Sequence, residues 1–146
     1  GFLPGTEKQK AEVYEQPYQE ICDDLFGRGD GYEILRNKHL IEFTTTSFLR
    51  GVTFDNAIVL IDEAQNLSHH EINTIMTRIG ENCRVLICGD FRQSDLEKSE
   101  KENILTWMKI TTKMECFDKI EFGIDDIVRS GFVKSYIIAK LELGYV

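Results

Sequence analysis

I-V-L-I-D-E-A-Q-N, residues 58 to 66, is the stretch from which the rest of the chain is read. Four aliphatic residues in a row, three of them β-branched, predict a strand buried on both faces. Asp62 and Glu63 follow at its carboxyl end, where α/β proteins place their chemistry. Adjacent acids are poor strand formers and need a partner when buried, so a magnesium ion and a water molecule are the expected occupants between them. The plain alternative is that the pair caps the next helix.

Working outward, a second aliphatic run, Arg84 to Cys88, ends in Gly89-Asp90. Between the runs, Ser68-His69-His70-Glu71 reads as a capping box, followed by a helix with Ile72, Ile75, Met76 and Ile79 on one face and Gly80 as its stop. A spacing of ~25 residues suffices for a right-handed crossover, so the strands are expected to be parallel. Asp62, Glu63 and Asp90 should then converge at one sheet edge.

Towards the carboxyl terminus, Glu100 to Lys113 is amphipathic through Ile104, Leu105 and Met108, with Trp107 as a further candidate. Cys116 to Phe122 is a third strand candidate, and Asp125 to Leu143 predicts one or two helices broken near Ser130-Gly131. Towards the amino terminus, Glu7 to Phe26 is helical in pattern and should split at Pro17, which lacks a backbone donor. Gly27 to Gly31 is a loop, Ile41 to Thr44 a short strand candidate, and Ser47 to Gly51 a turn of helix.

Length and composition fit one α/β domain over residues 1–146. The formal charge of −8 argues against a broad basic surface for nucleic acid. Residues 1–33 carry three basic and eight acidic side chains, so the remainder is nearly balanced and leaves room for a local basic groove. No apolar run approaches the ~18 residues of a membrane span. Cys22, Cys83, Cys88 and Cys116 show no C-x-x-C spacing, which predicts buried reduced thiols and a cytoplasmic setting. His69 and His70 face different directions at a helix start and make a poor metal pair.

A buried strand ending in Asp-Glu is the pattern of a nucleoside-triphosphate hydrolase: the first acid holds magnesium and the second polarises the attacking water. Gln93, just past the second strand, stands where an amide can sense a γ-phosphate, although a glutamine there can equally be an ordinary loop amide. Arg50, Arg92 and Arg129 are the guanidinium candidates for phosphate or nucleic-acid contacts, against the alternative of simple surface solvation. The phosphate loop G-x-x-x-x-G-K-[ST] is absent, and Leu3 to Lys8 lacks both its spacing and its preceding strand.

Taken together, the chain resembles the PhoH-like proteins, predicted ATPases related to superfamily 1 helicases. The likeness rests on G-F-L-P-G at 1–5, F-L-R-G-V-T at 48–53, V-L-I-D-E-A-Q-N at 59–66, C-G-D-F-R-Q-S-D-L at 88–96 and D-I-V-R-S at 126–130. The third segment resembles a Walker B motif and the fourth a G-D-x-x-Q motif. The resemblance implies a RecA-like P-loop NTPase core with a mostly parallel sheet, ATP and magnesium as ligands, RNA as a partner and homo-oligomers. It makes Asp62 the magnesium-binding acid, Glu63 the catalytic base, Gln93 the γ-phosphate sensor and Arg129 an arginine finger, with Gln65 and Arg50 as further nucleotide contacts. Ser130 departs from the histidine that many members carry.

The same likeness places the phosphate-loop strand upstream of Gly1, so it is expected to be missing from this chain, and ATPase activity is expected of the intact protein and not of this fragment. Its absence should leave a hydrophobic gap in the sheet, closed by another chain, by residues 1–26 or by further sequence. Two other functions fit the residues: a non-catalytic oligomerisation or RNA-binding module, and a magnesium-dependent nuclease built on Asp62, Glu63 and Asp90.

Overall fold

The computed structural model describes residues 7–49, 51–90 and 98–144, with side chains described from residue 11 and, after the second gap, from residue 105. The chain divides into two compact units, Gly1–Val52 and Thr53–Val146.

In the first unit, α1 (Glu7–Phe26) packs against the short α2 (Gly31–Asn37). α1 runs unbroken through Pro17, against the expected split. The proline removes one donor, and the carbonyl it leaves unpaired belongs to Val13, which is exposed and within reach of water. Tyr32 anchors α2: its backbone N–H donates to Asp23 at 2.9 Å and its hydroxyl donates to Glu15 at 2.6 Å. Burial and the Glu15 carboxylate together push the Tyr32 phenol well above its usual value. Ile41 to Thr44 forms no strand and has no ladder among the described residues, although Phe43 stacks at 5.6 Å on Tyr18.

The second unit holds a two-stranded parallel sheet, β1 (Ile58–Ile61) with β2 (Arg84–Ile87), in register Leu60 to Leu86 and Ile61 to Ile87. The crossover between them carries α3 (His69–Met76), started by the expected capping box: Ser68 Oγ accepts from the Glu71 N–H at 3.3 Å, and Glu71 accepts from the Ser68 N–H at 2.9 Å. α3 ends at Met76, before Gly80. Gly80 has a different task. It donates its N–H to the Phe54 carbonyl at 2.7 Å, beside a parallel bridge between Phe54 and Ile79.

α4 (Lys98–Thr111) and α5 (Gly131–Glu142) complete the unit. The core is formed by Ile72 and Trp107, with Leu67, Met76, Ile87, Met108 and Phe117 packed around them. Among the described residues of α4 it is Trp107, not Leu105, that is the buried hydrophobic side chain, and it meets Phe117 edge-on at 6.0 Å. Cys116 to Phe122 is not a strand: it starts in a turn and continues as irregular chain, with Ile120 and Phe122 exposed. A strand exists only through a ladder with a neighbour, and among the described residues this segment has none.

β1 is half-buried on one face only. Val59 and Ile61 turn inward, whereas Ile58 is 75 % and Leu60 57 % exposed, beside Leu86 at 43 %. The aliphatic run that implied burial on both faces therefore leaves an apolar outer face on the sheet. The four cysteines are unpaired, with Cys88 and Cys116 exposed instead of buried. Among the described residues no helix is long and apolar enough to cross a membrane.

Candidate active site

The two strands end side by side. Beyond Ile61 and Ile87 the ladder continues, with the Cys88 N–H donating to the Ile61 carbonyl at 2.8 Å and the Ala64 N–H to the Cys88 carbonyl at 2.9 Å. This brings Asp62-Glu63 next to Gly89-Asp90, as the crossover argument requires. Both acids of the first pair are exposed, not buried, so water already solvates them.

Glu63 sits at φ 51°, ψ 38°, the left-handed region. A non-glycine residue there costs about 1–2 kcal/mol, and such strain persists only where neighbours hold it. Three interactions do so. The Glu63 N–H donates to Asp62 Oδ1 at 2.9 Å, Gln65 Nε2 donates to Glu63 Oε2 at 2.5 Å, and the Asn66 amide reaches the same oxygen at 3.5 Å. Ala64 to Asn66 form a single 3-10 turn directly after it.

Gln65 lies beneath this turn and is the largest fully buried side chain among the described residues, at 2 % exposure. Its Oε1 accepts the Asp90 N–H at 3.1 Å. The sequence marked Gln65 as a member of the acidic motif, but nothing local could reveal that its partner is a backbone amide 25 residues away.

Among the described residues, no three carboxylates, histidines or cysteines gather closely enough to hold a metal ion. Asp62, Glu63 and Asp90 share a sheet edge without forming the three-acid cluster a metal-dependent nuclease would use. In a nucleotide site one carboxylate and substrate phosphates are enough to hold magnesium, and an exposed carboxylate such as that of Asp62 fits this requirement.

Arg129 lies in an exposed turn between a 3-10 turn, Ile124–Asp126, and α5, on a different element from the strand ends. Ser130 follows as the N-cap of α5, accepting from the Val133 N–H at 3.4 Å. A capping role explains a serine at that position. Arg50, Arg92 and Gln93 lie outside the described residues.

A PhoH-like protein family profile matches residues 1–140. The chain is 33% identical to a PhoH-like protein of Bacillus subtilis over 139 residues, covering 95% of this chain and 43% of that one. It is 32% identical to Protein PhoH of Escherichia coli K12 over 131 residues, covering 89% of this chain and 37% of that one. A PhoH-like protein of Mycobacterium leprae matches at 29% identity, over 97% of this chain and 40% of its own length. The chain thus spans about two fifths of the length of the curated relatives it matches. A profile that covers nearly the whole chain, and relatives above 30% identity along most of it, carry one conclusion: the chain belongs to the PhoH-like protein family.

Proposed function

We propose that this chain contributes the hydrolytic half of a magnesium-dependent ATPase with a RecA-like core. The observation that supports it best is the pairing of strand ends, with Asp62-Glu63 after β1 beside Gly89-Asp90 after β2 and Glu63 held in a strained, hydrogen-bonded turn. The family adds ATP binding as its implication, and a P-loop NTPase fold.

In this reading Asp62 holds the magnesium ion, which when bound neutralises charge on the nucleotide phosphates. Glu63 orients the attacking water and takes its proton as the bond to the γ-phosphorus forms and the bond from that phosphorus to the β,γ-bridging oxygen breaks, releasing ADP. An exposed carboxylate at a strand end can do this, because a water reaches it without displacing core side chains. Gln93 senses the γ-phosphate, Gln65 and Arg50 belong to the nucleotide-contacting set, and Arg129 acts as an arginine finger on a neighbouring copy in a homo-oligomer. RNA is the proposed macromolecular partner.

The test is ATP hydrolysis by the full-length protein containing this chain. Glu63→Gln should keep nucleotide binding and slow turnover by a factor on the order of 10² to 10⁴, the range for a lost general base. An unchanged rate would remove Glu63 from the role.

The apolar outer face of Ile58, Leu60 and Leu86 favours a second reading, an oligomerisation module without catalysis. Full-length protein that assembles, yet neither binds nor hydrolyses ATP, would select it.

A further inference from the structure

Gln65 is enclosed between the two strand ends, and both ends of its amide are engaged. Its orientation is fixed by chemistry. The backbone N–H of Asp90 can only donate, so the amide atom facing it at 3.1 Å must be the oxygen. The NH₂ group is therefore the one that meets the Glu63 carboxylate at 2.5 Å. No other uncharged side chain of this length offers an acceptor at one branch and a donor at the other. A glutamate here would set two carboxylates against each other, and a hydrocarbon would strip the Asp90 N–H of its acceptor.

We propose that Gln65 is a positioning residue for hydrolysis: it holds the Glu63 carboxylate in its left-handed turn and ties that turn to the carboxyl end of β2. The proposal rests on the ATPase reading above and changes the part Gln65 plays in it. The side chain acts through Glu63 and does not need to touch the nucleotide, since it is shut away from solvent. One amide then joins the two segments that line the strand ends, so a shift of the backbone at Asp90 is passed to the Glu63 carboxylate through a single side chain.

Two variants of the full-length protein test this. Gln65→Glu keeps an oxygen for the Asp90 N–H but replaces the donor to Glu63 with a second carboxylate oxygen, whereas the uncharged Gln65→Met below loses the link without adding charge. Its KM for ATP should stay within about threefold of wild type while kcat falls about 100-fold, the scale of a ~1 Å misplacement at a reacting group. Gln65→Met removes both links, and it should show the same kcat loss with KM retained. It should also show faster hydrogen exchange at the Asp90 amide, measured without nucleotide.

A wild-type kcat in folded Gln65→Glu overturns the proposal. So does a loss of kcat matched by a parallel rise in KM and fall in melting temperature, which marks a purely structural role. If Gln65→Glu does not fold, the split between kcat and KM in Gln65→Met decides. If the wild-type protein hydrolyses no ATP, the ATPase reading fails separately, and exchange at Asp90 judges the tie alone: equal rates in wild type and Gln65→Met overturn it.

Discussion

Gly80 donates its backbone N–H to the carbonyl of Phe54 at 2.7 Å, and this contact seats the chain after α3 against the segment that leads into β1. A methyl group on Gly80 would collide with the Phe54 carbonyl and the Asp55 carboxylate. The backbone at Phe54 cannot retreat without breaking the adjoining bridge to Ile79. Gly80→Ala should therefore destabilise the protein by about 1–3 kcal/mol, as overpacked sites do. A denaturant midpoint equal to that of wild type would show that the two segments separate freely.

Tyr32 supplies a pH dependence with a definite sign. Its phenol is buried and donates to Glu15, which holds the folded-state pKa above the ordinary value of 10.0. The folded protein keeps this proton where the unfolded chain has released it. The stabilisation is therefore complete below about pH 10 and is lost as pH rises beyond it. Tyr32→Phe should cost about 1 kcal/mol at neutral pH through the missing hydrogen bond. Its stability should also fall less steeply than wild type above about pH 10, read from denaturant midpoints across the alkaline range.

Trp107 is 7 % exposed and packs with Ile72 and Phe117 between α3 and α4. Replacing it with alanine removes the largest side chain of this core and leaves a cavity that the neighbours fill only in part. Trp107→Ala should lose about 3–5 kcal/mol, a large share of the ~5–15 kcal/mol typical of a domain. Far-ultraviolet circular dichroism during chemical denaturation measures this without the lost fluorophore. A loss below 1 kcal/mol would mean that α4 is not fastened through Trp107.

What could be read from the sequence was local. The aliphatic runs of β1 and β2 and the Ser68–Glu71 capping box depend on residues a few positions apart, the parallel pairing follows from the length of the link between the runs, and each is present. What misled depended on partners far along the chain. Cys116 to Phe122 and Ile41 to Thr44 have strand composition, but composition cannot supply the neighbouring ladder that makes a strand. Pro17 suggested a break, yet an exposed helix face lets water take the carbonyl the ring leaves unpaired. The strand-end placement of Asp62 and Glu63 was legible from pattern. The orientation of Gln65 was not, because it is set by the Asp90 amide on another strand.

Arg129 and Glu63 offer a test of assembly as well as chemistry. Arg129 lies in an exposed turn ahead of α5, on a different element from the strand ends that carry Glu63. An arginine finger working between copies would join a site to the neighbouring subunit, and its loss should lower kcat by about 10³- to 10⁵-fold. In full-length protein, Arg129→Ala and Glu63→Gln should each be nearly inactive. In a mixed oligomer, a subunit with intact Glu63 can meet a neighbour with intact Arg129, so mixing the two variants under conditions of subunit exchange should restore partial ATPase activity. A mixture no more active than its parts, despite demonstrated exchange, would exclude Arg129 from acting across an interface.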